Sequence, residues 1–306
     1  MSSCERIQSV DCGRCHALLL SSQGHVYSCG HNPFGQCGYS SYKDINKNIE
    51  TSLMSPVDYI MESGMKRVDS LKERIVQVAC GLDHSLFLDE KGVVYSCGWG
   101  ADGQTGIGHY NDETIPQQVE GDLQGRRVKQ IATSTDCSLA LTSDGIVCGW
   151  GNSEYQQLGL DTTEMQVAVP SVISGKLFEK GRVVMVAAGG SFCLFLTSVG
   201  AVYSIGYGAG LGLGDEIQST SIPKEIRFDM VQGQRIGQIH ASVDYAAAVT
   251  NDGRLYVWGH NRHKQLGPYC DYLSDVWRPA LVKLPYKIET VHLGIDSMSV
   301  TRRLTQ

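Results

Sequence analysis

The stretch VVYSCGWGADGQTGIG, residues 93–108, decides how this chain is read. Gly98, Gly100 and Gly103 spell G-x-G-x-x-G, the spacing of a dinucleotide-binding turn. Such a turn needs a strand before it, a helix after it and an acidic residue about 20 positions further on. A strand-like GVVYSCG leads in. The residues after the motif, QTGIGHYNDETIP, place turn-formers and a proline where the helix would have to begin.

The glycines have another origin, because they recur. Five segments align without a gap as G-x5-G-x7-G, with glycines at 24/30/38, 92/98/106, 145/151/159, 200/206/214 and 253/259/267. The slots of Gly100 and Gly103 are not constant: they hold Asn32 and Gly35, Ser153 and Gln156, Asn261 and Lys264. A cofactor loop would not recur with its key glycines replaced, so the fingerprint is a by-product of a repeat.

Upstream of each block lies a pair of apolar runs: RIQSVDCGRCHALLL, RIVQVACGLDHSLFL, RVKQIATSTDCSLAL, RVVMVAAGGSFCLFL and RIGQIHASVDYAAAV, with KIETVHLGIDSMSV near the end of the chain. Asp-Gly pairs at 144–145 and 252–253 turn the chain into the next strand, a strong hairpin signal between apolar runs. Downstream, a proline precedes an aliphatic residue at 55–57, 116–119, 170–173, 223–226 and 279–282, which suits an edge strand because proline cannot donate to a ladder. Each repeat thus holds four short strands at a period of about 53 residues, the signature of a β-propeller blade. The fold class predicted is all-β, a single propeller domain over 1–306, with repeats at about 6–73, 74–126, 127–181, 182–234 and 235–286 and a half repeat at 287–301.

Composition agrees. The chain has 306 residues, 42% apolar and 19% charged, enough to bury a core. Its 35 glycines, about 11%, exceed a usual ~7% while prolines number only 8, which fits many tight turns. A net charge of −6 argues against a broad nucleic-acid-binding face. No apolar run approaches the ~18 residues of a membrane span. Eleven cysteines, an odd number, read as reduced thiols, and most fall in slots that other copies fill with small or apolar residues. No set of four converging zinc ligands, phosphate loop or nucleophile elbow is present, so neither metal, cofactor nor enzymatic activity is expected.

Gly-x-Val-Tyr-x-Trp-Gly, then Gln-Leu-Gly, with Cys-Gly-x-x-His-Ser upstream, resembles the repeat of the regulator of chromosome condensation family over about residues 6–301. The segments at 78–111 and 148–159 are most similar to its mitochondrial branch. The resemblance implies a seven-bladed propeller that binds a small or dynamin-like GTPase as a guanine-nucleotide exchange factor. It also implies a mitochondrial location, the cytoplasm being the alternative. A role in mitochondrial ribosome assembly, holding rRNA or ribosomal proteins, is the competing implication. Measured against seven blades, the chain is expected to be shortened at its N-terminus and to form an open arc, a re-closed five-bladed ring being the alternative.

The candidate partner-binding residues lie in the turn before the second strand. His16 and His84 share a slot, and Asp83, Asp136, Asp244 and Asp296 occupy the position before it. Taken alone, such aspartates cap backbone N–H groups in a turn. The resemblance implies that acidic and histidine residues of this turn face the GTPase. The first and fourth copies lack the aspartate, with Arg14-Cys15 and Ser191-Phe192 in place. The long connection at 39–73, which carries Tyr59, is a candidate docking loop, and Trp99 with His109 and Tyr110 extends the surface.

Overall fold

The computed structural model describes residues 5–40, 64–160, 164–173, 178–267 and 274–302. It is all-β, of the propeller class, with antiparallel sheets whose strands follow chain order. The first sheet holds β1 (Ile7–Cys12), β2 (His16–Ser21), β3 (Val26–Gly30) and β4 (Lys66–Arg67). The second holds β5 (Ile75–Cys80), β6 (His84–Asp89), β7 (Val94–Gly98) and β8 (Glu113–Gln118). The third holds β9 (Val128–Ser134), β10 (Cys137–Thr142), β11 (Val147–Asn152) and β12 (Gln166–Ile173). The fourth holds β13 (Val183–Ala188), β14 (Phe192–Thr197), β15 (Val202–Tyr207) and β16 (Ser219–Glu225). The fifth holds β17 (Ile236–Ala241), β18 (Tyr245–Thr250), β19 (Leu255–Gly259) and β20 (Val276–Val282), and β21 (Ile288–Leu293) and β22 (Met298–Arg302) form a two-stranded sheet. The chain divides into two compact units, one of residues 1–143, 150–152 and 166–171, the other of 144–149, 153–165 and 172–306.

The I-x-x-V spacing of each first strand has a structural cause. An unbroken strand would send residues i and i+3 to opposite faces. Between Ile75 and Gln77 the register slips by one, so that Ile75 faces Asp89 while Val78 faces Phe87. This bulge returns Ile75 and Val78 to one face, and both are buried. The same slip occurs at 7/9, 183/185, 236/238 and 288/290. The second strands are buried on both faces: every residue of His84–Asp89, Phe192–Thr197 and Tyr245–Thr250 is inside. That burial follows from sheets stacked face to face, β2 on β5 and β6 on β9 in the first unit, β14 on β17 and β18 on β21 in the second.

Pro116, Pro170, Pro223 and Pro279 lie on the outermost strands, as the missing N–H requires. The first sheet departs from expectation. Its fourth strand is Lys66–Arg67, followed by Val68, whose N–H donates to the Val26 carbonyl at 2.9 Å, as Val119 does to Val94. Val68 is buried and fills the aliphatic slot without a proline, whereas 55–57 lies outside the described residues. Where the fingerprint would need a helix, Gly98 ends a strand and leads into turns. Gly103 has φ +79°, and Gln156 and Lys264 take the same left-handed conformation in their copies, so the slot demands a backbone shape and not a ligand.

Polar latches register the stacked sheets. Ser85 Oγ donates to the Gln36 carbonyl of the preceding sheet at 2.6 Å, and Ser138 Oγ donates to the Gln104 carbonyl at 3.1 Å. Trp150 Nε1 donates to the same Gln104 carbonyl at 2.9 Å, and in the second unit Trp258 Nε1 donates to Gly210 at 2.8 Å. Because the Ser85 proton is committed to a carbonyl, His16 must be the donor in its 3.0 Å contact with Ser85, through Nε2–H. His84 likewise donates to Ser138 Oγ (3.0 Å) and Thr133 Oγ1 (2.8 Å), since both hydroxyls direct their protons to carbonyls. The opposite nitrogen, Nδ1, is buried without a partner in both rings. A Cβ on Gly81 would stand 2.3 Å from His84 Nδ1, so the imidazole packs directly on this backbone and Cys-Gly-x-x-His needs its glycine.

Two outcomes are expected. At Gly98, φ is +108° and a Cβ would stand 2.5 Å from the Asp83 carbonyl oxygen, whereas Gly125, at φ +74°, has nothing within 4 Å. Gly98→Ala therefore loses about 3 kcal/mol or more in denaturant unfolding and Gly125→Ala about 1 kcal/mol, and equal losses would contradict this packing. Burial lowers His84 to about 3 and His16 to about 4, against 6.5 in the unfolded chain. Between those values the unfolded state binds more protons, so these histidines' stabilisation is complete above about pH 6.5 and is lost as pH falls toward 3. Urea midpoints at pH 7.5 and 5 should drop by less in His84→Gln than in the parent.

Candidate functional site

The turn that precedes each second strand is tied to the residue that follows the strand-ending glycine. In the first unit the His31 N–H donates to the Cys15 carbonyl (2.7 Å), Trp99 to Asp83 (2.8 Å) and Asn152 to Asp136 (2.8 Å). In the second, Tyr207 donates to Ser191 (2.9 Å) and His260 to Asp244 (3.0 Å). These bonds place two side chains from separated segments at the same end of each sheet. Trp99 and Asp83, both singled out from the sequence, are thus neighbours.

On the first unit this rim brings together the carboxylates of Asp83, Asp102 and Asp136. Arg14 forms an ion pair with Asp83, and Gln104 Nε2 donates to Asp136 at 3.2 Å. Asp102 accepts from Gln166 Nε2 at 2.5 Å and from Asn152 Nδ2 at 3.4 Å. Burial raises the Asp136 carboxyl above its ordinary range, and Asp102 and Asp83 add to the rise while Gln104 and Arg14 oppose it. Beside them the Trp99 ring meets Phe34 edge-on, centroids 4.5 Å apart. The second unit has its own rim. There Tyr155 and Tyr207 stack at 5.3 Å, and His260 Nδ1 lies 2.6 Å from Asp275. Burial raises Asp244, with His260 drawing it down and Asp296 pushing it up.

The expected site residues divide into three groups. Asp136 and Asp244 are half-buried, Asp296 is exposed, and Asp83 is buried except toward Arg14; all four stand in this turn. His16 and His84 are not displayed. Both are buried, as are Cys137, Phe192 and Tyr245 in the same slot, whereas Ser297 there is exposed, so the two imidazoles pack between sheets and are not displayed at the surface. Tyr245 shows the same role in another chemistry, its single hydroxyl proton shared between the Gly294 (2.8 Å) and Ser297 (2.6 Å) carbonyls of the next sheet. Tyr59 lies outside the described residues, as do Cys4 and Cys270. Cys37, Cys97, Cys137, Cys148 and Cys193 are buried as fillers, whereas Cys12 and Cys15 are exposed.

Phe34, Asp102, Tyr155, His260 and Asp275 were not singled out from the sequence. The first three share one signal, the fourth position after the strand-ending glycine, which meets the first position of the next copy: Phe34 with Trp99, Asp102 with Asn152, Tyr155 with Tyr207. Among the described residues no group of His, Cys, Asp or Glu is arranged to hold a metal ion. Among them, too, no helix is long and apolar enough to cross a membrane. The first unit's rim thus sets carboxylates beside an aromatic pair.

Comparison with known proteins gives this geometry a family. The profile of the RCC1-like domain matches residues 2–300. The mouse and human RCC1-like G exchanging factor-like proteins are 42% and 40% identical over 301 residues. In each case the match takes in 96% of this chain and 61% of the relative, so the chain spans about three fifths of their length. The crystal structure of human WBSCR16 superposes with a TM-score of 0.88 at 39% identity, covering 98% of this chain and 73% of that one. Prp20p from Saccharomyces cerevisiae shares the fold, with a TM-score of 0.77 at 22% identity over 97% of this chain and 70% of its own. By profile, by relatives and by fold, the chain belongs to the RCC1-like domain family.

Proposed function

We propose that this chain is a non-catalytic scaffold that binds a GTPase, small or dynamin-like, through the first unit's rim and promotes its nucleotide exchange. The observation that carries the reading is the row Asp83, Asp102 and Asp136 beside Trp99 and Phe34 on rigid sheet ends. It is supported by relatives named as G exchanging factor-like proteins. In a loaded GTPase the nucleotide phosphates hold basic side chains. A rim of carboxylates offers those side chains another partner, and so binds the empty form better than the loaded one. That difference in affinity is all an exchange factor requires. No bond is made or broken. The proposed compartment is the mitochondrion, a reading that rests on the family resemblance alone. Carboxylates at the rim repel phosphates, so this surface does not favour a ribosomal RNA partner.

The test is capture of purified small and dynamin-like GTPases, stripped of nucleotide with EDTA or loaded with GDP, on the immobilised chain. The empty form should bind more tightly. Asp83→Asn with Asp136→Asn should weaken it about tenfold while the melting temperature holds, as expected when two charge-assisted hydrogen bonds become neutral ones. Binding should also weaken between 50 and 300 mM salt. Equal affinity for both forms, or release of labelled GDP unchanged by added chain, would remove the exchange reading.

A further inference from the structure

The first unit's rim already carries a cation of its own. Arg14 lies in the turn between β1 and β2, and its backbone N–H donates to the Leu82 carbonyl at 3.1 Å, while Leu82 donates to Thr135 at 3.0 Å. These backbone bonds fix three successive turns edge to edge. Repeat alignment puts Arg14 in the slot of Leu82, Thr135, Gly190, Val243 and Ile295, none of which is charged. From that slot the guanidinium reaches across to the Asp83 carboxylate, 69 residues away. The pair is unequal: the Arg14 side chain is 56% exposed and that of Asp83 only 11%.

We infer that Arg14 is a tethered stand-in for the partner's basic side chain, which occupies Asp83 in the free protein and must leave when the partner binds. The inference rests on the proposed binding role of this rim. Three properties support it. Arg14 and a partner lysine or arginine would need the same carboxylate oxygens. The exposed end of the pair is the arginine, so it can swing into water while the sheet that holds Asp83 stays in place. Only the arginine end of the pair is solvated, and a partner's own cation takes its place on the carboxylate, so the loss of the Arg14 contact is offset. Arg14 also bears on the neighbouring carboxylate, since it is among the groups that draw Asp136 down. With Arg14 seated, the rim is screened against stray cations, and a partner is selected that presents several basic groups together.

The experiment uses the full chain and a fluorescein-labelled hexalysine peptide in place of the unidentified partner. Anisotropy titrations compare the parent with Arg14→Gln, Asp83→Asn and Asp136→Asn, and with Arg14→Gln combined with each aspartate change. Arg14→Gln should tighten the peptide about threefold, and adding Asp83→Asn should erase that gain. Carboxyl carbon NMR titration should show the Asp136 midpoint rising in Arg14→Gln, a readout that needs no ligand. An unchanged Asp136 midpoint, or a peptide bound no tighter by Arg14→Gln, would overturn the role of Arg14. If Arg14→Gln moves the Asp136 midpoint but neither aspartate change alters peptide binding, the rim does not take cations, and the binding role falls with the inference. If the peptide behaves as expected and no GTPase is captured, the stand-in role holds and only the partner's identity is lost.

Discussion

Backbone carbonyls in the loops after the third strands, Gln36 and Gln104 in the first unit and Gly210 in the second, are the points on which neighbouring sheets register. Apolar faces alone would stack with freedom to slide, because dispersion and the hydrophobic effect carry no direction. A carbonyl buried between sheets needs a donor, and leaving it unmet costs about 1–3 kcal/mol. Ser85, Ser138, Trp150 and Trp258 meet that need from the following sheet. His16 and His84 then donate to the serine oxygens, which extends each latch by one more bond between sheets. The direction of these bonds sets which residues come to stand at the rim.

The rim inherits its rigidity from that arrangement. Asp83, Asp136 and Asp244 are held by turns whose own carbonyls accept from the residue after the strand-ending glycine. Their neighbours differ in chemistry. The first unit sets carboxylates against one guanidinium and an aromatic pair, whereas the second sets a stacked tyrosine pair apart from a His260–Asp275 pair. A repeating scaffold therefore carries a non-repeating surface, since the latches use slots that point inward and leave the rim slots free to vary. The buried histidine slot makes the same point in reverse: His, Cys, Phe and Tyr all fit it, provided that the space is filled and any polar atom finds a partner.

The fold was legible because each blade announces itself locally. A left-handed turn favours glycine, an edge strand tolerates proline, and a strand buried on both faces carries an unbroken apolar run. Gly98, Pro116 and the run Leu86–Leu88 show these three signs within one copy. Two local features were not legible. The bulge at Val76 leaves no mark beyond an i, i+3 spacing, and Lys66–Val68 replaced Pro56–Val57 in the first sheet because pairing with β3 needs only a free backbone and one aliphatic residue.

By itself the sequence determined the repeat, the four strands of each copy, the all-β class and the four aspartates of the turn, since all of these arise from turn geometry and burial over a few residues. Tertiary structure alone decided that His16 and His84 are interior latches, that Trp99 stands beside Asp83, and that Arg14 sits on that carboxylate. Those facts depend on how adjacent sheets touch, as Arg14 does Asp83 and His16 does Ser85, each pair 69 residues apart. A side chain's partner across such a distance is set by how one sheet lies on the next, and no pattern within a single repeat encodes that.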